Sequence, residues 1–405
     1  MKKSILVFLL AMIAWGPVSA RQQEPDTLIT QAISLINADS LHSYIQQLQD
    51  MQTRFMMAPN RRDVATWIMQ KFLSFGVPEA RMDSFQCYTN FNYMEFHYDT
   101  TTWQYNVEAR IEGVEVPEDE VVLLGHYDDF SQDGNPELFA PGADDNASGT
   151  AATLEIARVL MEMEYNPRQT VIFLASAAEE LMYYGDAGTE HYASEAEAAG
   201  RNIIMAINND MIGWDDGTWT LCLFNHTGSP HITTLAIDII ETYTSLGIES
   251  WDPVSTVGGD IQAFLDAGYP GIYFMEHYIN PNYHSDEDLL DGCDMEYLAE
   301  NTKVSLGCIL ESDLTVGTDE QSSNLPQARI YPNPTSGKLN IMIPREMEEL
   351  TVTILNTLGE EVYFAGLSQG AQMIDLSGYP PGIYLAHLQY RNNAASMKIV
   401  LVETD

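Results

Sequence analysis

Basic residues are scarce in this 405-residue chain: 18 lysines and arginines stand against 59 aspartates and glutamates, a formal net charge of −41. Binding to nucleic acid by release of phosphate counterions is thereby excluded as a main activity. The acidity reads either as a solvated, self-repelling surface or as a field that draws cationic amino termini toward a cleft. Cysteine is also sparse. Cys87, Cys222, Cys293 and Cys308 lack zinc-finger spacing and allow three complete disulfide pairings, so they read as structural or free. Long apolar runs are missing too. Residues 5–14, the longest, are too short for a membrane span. With Lys2 and Lys3 before them and Val18-Ser19-Ala20 after, they read as a secretory signal over residues 1–20.

What is present is organised. Residues 21–37 are a polar lead-in, an arm or a propeptide. Residues 41–51 and 61–75 have helical periodicity, and 104–112 alternate like a half-buried strand. Continuous apolar runs follow at 121–124, 171–175, 203–207 and 271–275, as in parallel strands covered on both faces. Helical stretches at 147–161, 232–245, 261–267 and 295–310 alternate with them. That order predicts a three-layer α/β/α domain over 38–314 with a mostly parallel central sheet. A polar linker is expected over 315–327 and a small all-β sandwich over 328–405, from short alternating segments parted by turn signals.

Metal-type side chains recur where the apolar runs end, at the strand termini where ligands gather in such sheets. Gly125-His126-Tyr127-Asp128 closes the first run; His126 could ligate a metal while Asp128 accepts its other ring N–H. In Ala143-Asp144-Asp145-Asn146-Ala147-Ser148-Gly149, small residues let carboxylates crowd one point, although an acidic helix N-terminus would read the same way. Glu179-Glu180 closes the second run: one carboxylate could bind metal while the other moves a proton. Asp210 follows the third run, and His277 and His284 compete for the last place. Oxygen and nitrogen donors without thiolate suit zinc and leave manganese or cobalt open. Two divalent cations would balance three carboxylates and a hydroxide, so the cluster could be partly buried without a large desolvation cost.

Over residues 41–312 these motifs resemble the zinc aminopeptidase family that includes glutamate-carboxypeptidase and transferrin-receptor ectodomains. The resemblance implies two zinc ions held by His126, Asp145, Glu180, Asp210 and His284. It implies Asp128 behind His126, Glu179 as general base, Tyr283 at the oxyanion, and a cis peptide after Asp145. Gly259-Asp260, Phe264 and Gly268-Tyr269-Pro270 resemble its pocket-lining segment, with Gly259 in place of the usual serine. After Glu180 the stretch Leu181-Met182-Tyr183-Tyr184-Gly185-Asp186 also departs from the family's usual Gly-Leu-x-Gly-Ser.

The implied activity is removal of amino-terminal residues from peptides with a free amino terminus. The alternatives are a one-zinc glutaminyl cyclase, using Asp145, Glu180 and His284, and a surface binding module that has lost its metals. A carboxypeptidase would want arginines to clamp a carboxylate, and none adjoins the motifs. From Tyr331-Pro332-Asn333-Pro334 to Lys398-Ile399-Val400 the tail resembles a sorting domain of the type IX secretion machinery. That implies passage through the periplasm and outer membrane, then release or attachment at the cell surface with the tail removed.

Overall fold

The computed structural model describes residues 25–93, 96–182, 187–315, 329–331, 335, 337–343, 350–356, 361–367, 370–390 and 393–402. The expected signal, most of the linker, residues 183–186 and 332–334 lie outside these. The elements run α1 (Thr27–Ile33), α2 (Ala38–Gln49), α3 (Arg61–Ser74), β1 (Glu79–Tyr93), β2 (Phe96–Ile111), β3 (Val116–His126), α4 (Ala147–Glu162), β4 (Gln169–Ser176), α5 (Gly188–Ala198) and β5 (Asn202–Asn209). There follow β6 (Thr220–Phe224), α6 (Pro230–Tyr243), β7 (Gly247–Ser250), α7 (Ile261–Asp266), β8 (Gly271–Glu276) and α8 (Met295–Thr315).

Eight strands form one sheet in the order β1-β2-β4-β3-β5-β8-β6-β7. Its centre, β4-β3-β5-β8, is parallel, while β1, β2 and the β8–β6 junction are antiparallel. The apolar runs explain the layering. Val121, Leu123, Val171 and Phe173 enter one core with α2, α3, α4, α6 and α8. Val122, Leu124, Ile172 and Leu174 enter another with α5 and α7. Alternate residues of one strand thus face opposite helical layers, and each buried aliphatic contributes about 1.5–3 kcal/mol.

Residues 27–33, expected within a polar lead-in, are instead a packed helix. Asp26 caps it, and Ile29, Ala32 and Ile33 fall at helical spacing into the main core. None of the four cysteines is bridged. Among the described residues no helix is long and apolar enough to cross a membrane.

The C-terminal region adds β9 (Arg329–Tyr331), β10 (Lys338–Ile343), β11 (Leu350–Asn356), β12 (Glu361–Leu367), β13 (Gly370–Asp375), β14 (Gly382–Tyr390) and β15 (Asn393–Leu401). They pair as a three-stranded sheet, β13-β10-β9, and a four-stranded one, β12-β11-β14-β15. Leu339, Ile341, Val352, Ile354, Leu388 and Ile399 form a core of their own between them.

Candidate metal centre

The carboxyl ends of the parallel strands meet at one point. His126 is the last residue of β3, Glu179 and Glu180 follow β4, Asp210 follows β5, and His284 lies in the loop after β8. Asp145 arrives from the turn before α4, whose cap is Asn146 rather than an acid: its Oδ1 accepts the N–H of Gly149 at 2.8 Å. Gly149 cannot carry a side chain, because a Cβ there would lie 2.0 Å from the Asn209 carbonyl oxygen. That approach brings α4, and Asp145 with it, against β5. The Asp145–Asn146 peptide is cis, as the resemblance implied.

Asp145 stands in the middle. Its Oδ1 is 3.4 Å from His126 Nε2, and its Oδ2 is 3.3 Å from His284 Nε2. At the first pole Asp210 Oδ1 is 3.3 Å from His126 Nε2; at the second, Glu180 Oε2 is 2.7 Å from His284 Nε2. Donor atoms of His126, Asp145 and Glu180 all lie within 4.8 Å of one another. Glu179 Oε2 is 3.9 Å from His126 Nε2. His277 is engaged elsewhere, between Asp216 at 3.0 Å and Glu249 at 2.8 Å.

The surroundings aim these groups. His126 Nδ1 lies 3.2 Å from the Asp128 backbone oxygen, which leaves Nε2 for the cluster. The Asp128 carboxylate, expected on that ring, is 3.6 Å from it. It instead accepts the backbone N–H groups of Glu179 at 3.1 Å and Glu180 at 3.3 Å, and so fixes the glutamate pair. Ala178, Met211 and His284 hold left-handed φ values of 63°, 52° and 55°. Such conformations cost non-glycine residues energy and gather where geometry is constrained for function.

A cavity of about 450 Å³ opens over the cluster. Tyr283 lines it, its ring stacked on His284 at 3.7 Å between centroids. Of the expected pocket segment only Gly259 reaches it. Asp260 turns away to Ser176 Oγ at 2.6 Å and Thr189 Oγ1 at 2.7 Å, and Phe264 is buried where α7 meets the sheet. No lysine or arginine is among the described residues lining the cavity.

Two residues that matter were not marked in the sequence. Asp288 accepts the N–H groups of Asp144 and Asp145, at 3.1 and 3.0 Å. Arg54, fully buried, donates to the carbonyls of Tyr127, Pro141 and Gly142 and pairs with Asp129. Asp288, two residues past Asp286 in an acidic loop, offered a weak signal; Arg54 offered none, standing far from every motif.

The donors fit a cation. Asp210 Oδ1 and Glu180 Oε1 are buried with no hydrogen-bond partner, a costly state for carboxylate oxygens unless a positive charge meets them. Without one, the crowded acids hold protons. Burial and Asp145 push Glu180 up to about 8, and against its own burial Glu180 with Asp145 raises His284 to about 11. Burial works against Asp145 as well, yet hydrogen bonds to His126 and His284 keep its carboxyl well below the usual range.

A divalent cation must therefore displace protons, and its affinity should rise with pH through about 8. Titration of the stripped protein with zinc near pH 7, in buffers of differing ionisation enthalpy, should show at least one proton released per chain. Zero release would contradict this charge balance.

An α/β sheet that carries this acid and imidazole cluster on its carboxyl edge defines the class: a metallohydrolase fold. The chain belongs to Peptidase family M28, a family of zinc metallopeptidases, with a match over residues 106–309. Residues 329–403 match the secretion system C-terminal sorting domain, a tail that marks proteins for export by the type IX route, to be secreted or held at the cell surface. A protein of Pyrenophora tritici-repentis named probable zinc metalloprotease is 30% identical over 298 residues. That match takes in 62% of this chain and 66% of the relative, just under two thirds of its length. A probable aminopeptidase of Saccharomyces cerevisiae is 25% identical, over 70% of this chain and 75% of its own. Among solved structures, LapB from Legionella pneumophila has a TM-score of 0.58 at 20% identity, covering 71% of this chain and 75% of that one. An Acidobacteriales glutaminyl cyclase reaches 0.54 at 18%, covering 69% and 95%. Fold alone therefore does not separate the two chemistries.

Proposed function

We propose that the protein is an exported dizinc aminopeptidase that removes the first residue from peptides with a free amino terminus. His126, Asp145 and Asp210 would hold one zinc, and Asp145, Glu180 and His284 the other. The observation that carries this reading is the double-sided placement of Asp145, one oxygen toward each imidazole. When bound, such a zinc pair would lower the pKa of a water toward about 7 and polarise the scissile carbonyl.

The chain's own groups do the rest. Glu179 takes the proton of the attacking water as the new C–O bond forms. It returns that proton to the leaving amine as the C–N bond breaks. Asp128 holds Glu179 in place through its backbone. Tyr283, on the cavity wall, donates a hydrogen bond to the developing oxyanion. The cationic amino terminus is received among the carboxylates, and the absence of a cationic side chain from the described lining disfavours a carboxypeptidase. The catalytic unit would span 38–314 together with α1, which packs into its core, joined by a linker over 315–327 to a non-catalytic sorting sandwich at 328–405. Export would run through the periplasm and outer membrane.

A metal assay paired with aminoacyl-arylamide substrates tests this. Two zinc ions per chain, with hydrolysis stopped by a chelator and restored by zinc, are expected. A single tightly held zinc with cyclisation of amino-terminal glutamine would favour the cyclase, whose ligands would be only Asp145, Glu180 and His284. Protein that takes up no zinc and cleaves no substrate would favour the binding module.

A further inference from the structure

The β1–β2 hairpin is longer than the sheet needs. β2 joins β4 only through Val107 to Ile111, yet β1 and β2 pair out to Tyr93 and Phe96. The distal half projects past the sheet edge toward the metal centre. It is fastened there: Gln104 Nε2 donates to the Met56 carbonyl at 2.8 Å, Arg61 Nε to that of Trp103 at 2.8 Å, and Tyr98 Oη to Glu137 at 2.7 Å. Phe91, 4% exposed, packs edge-on against Phe130 at 5.7 Å. Phe130 packs edge-on against His284 at 5.3 Å. Both phenylalanines line the cavity, so the hairpin builds an aromatic wall beside the second pole of the cluster.

The opposite wall is of another kind. Met211, Gly259 and Tyr273 flank the first pole. Tyr273 donates to Asp210 Oδ2 at 3.1 Å and is backed by Phe224, stacked at 5.1 Å. Met211 and Tyr273 are buried, whereas Gln132, on the hairpin side, is exposed and Met182 half-buried. The first-pole side, with Met211 and Tyr273, is the more enclosed, while Gln132 and Tyr283 leave the hairpin side exposed. A substrate cut after its first residue places that residue on the enclosed side, and its continuing chain leaves across the exposed one.

We propose that the Phe91–Phe130 wall is the subsite for the residue after the scissile bond, so that the enzyme selects peptides with an apolar second residue. This rests on the aminopeptidase reading above. Apolar contact in such a pocket discriminates by about tenfold or more.

The test follows leucine release by the full-length, zinc-loaded protein from Leu-Phe-Ala, Leu-Gly-Ala, Leu-Asp-Ala and leucine amide, whose ammonia leaving group cannot reach the wall. The native kcat/KM ratio of Leu-Phe-Ala to Leu-Gly-Ala should be about tenfold or greater. Phe91→Ala should reduce it to about threefold or less, with Phe91→Leu between. Gln132→Arg, on the exposed rim, should raise Leu-Asp-Ala over Leu-Gly-Ala by about threefold, and it decides alone if Phe91→Ala does not fold. Leucine amide cleaved with a native ratio near one, or ratios unmoved by these substitutions, overturns the wall. No leucine from any substrate, the amide included, instead overturns the aminopeptidase reading.

Discussion

Replacing Glu179 with glutamine is expected to lower kcat on any aminoacyl substrate by about 100- to 10,000-fold, while zinc content stays that of the native protein. The substitution keeps shape and hydrogen-bonding reach and removes only the capacity to take a proton. Glu179 is suited to the role by its place. It reaches the cavity, while its backbone N–H is held by Asp128 and the preceding Ala178 is in the left-handed region. Burial pushes its carboxyl well above the usual range; His126 opposes that, and Asp260, Asp210 and Glu180 add to it. A carboxylate made more basic in this way takes a proton from water more readily than an exposed one. The neighbour behaves differently: Glu180→Gln should lower zinc content as well as turnover, because Glu180 faces His284 at the second pole. Metal analysis beside steady-state kinetics separates the two. Undiminished turnover in Glu179→Gln would remove the residue from the mechanism, and loss of zinc in that variant would make it a ligand instead.

The cluster was legible in the sequence because its chemistry is tied to strand ends. His126, Glu179, Glu180 and Asp210 each follow an apolar run whose burial forces parallel pairing, so their convergence follows from the sheet. His284 was open to competition from His277 by spacing alone. What separates them is tertiary: His277 lies between Asp216 and Glu249, while His284 turns inward through a left-handed backbone. The β1–β2 hairpin was only half visible. Residues 104–112 read as a strand, but 79–93 did not, although Phe85, Cys87, Thr89 and Phe91 are buried in alternation: a buried threonine and an exposed Tyr88 blur the apolar pattern. β6 and β7 are short strands at one end of the sheet, and five or four residues give periodicity too little length. Phe264 was expected at the pocket and lies in the core, because a buried aromatic on a short helix reads the same in either place.

Arg54 bears on both fold and site, and Arg54→Met is expected to cost about 3–5 kcal/mol of folding stability, read from urea unfolding of native and variant chains. The guanidinium is wholly enclosed. Its donors meet the carbonyls of Tyr127 at 2.7 Å, Pro141 at 2.8 Å and Gly142 at 2.8 Å, and Nη1 lies 3.0 Å from Asp129 Oδ2. Those carbonyls belong to the turn after His126 and the turn before Asp144 and Asp145, so one side chain ties together the two segments that bring the proposed ligands His126 and Asp145 into the cluster. Methionine fills much of the volume but leaves three carbonyls without their donor, and it leaves Asp129, still held by the backbone N–H of residue 54 at 2.9 Å, without its counter-charge. Burial already pushes Asp129 up to about 7 with Arg54 beside it. Without Arg54, the easiest relief is for Asp129 to hold a proton in the folded state. The unfolded chain then carries fewer protons than the folded one above about pH 4, so the variant's stability falls as pH rises toward the raised folded pKa. The loss should therefore be larger at pH 8 than at pH 5. Zinc affinity should weaken in parallel, since both ligand turns lose their common tie. A variant as stable as the native chain at pH 8 would show that the two turns are held by their other contacts alone.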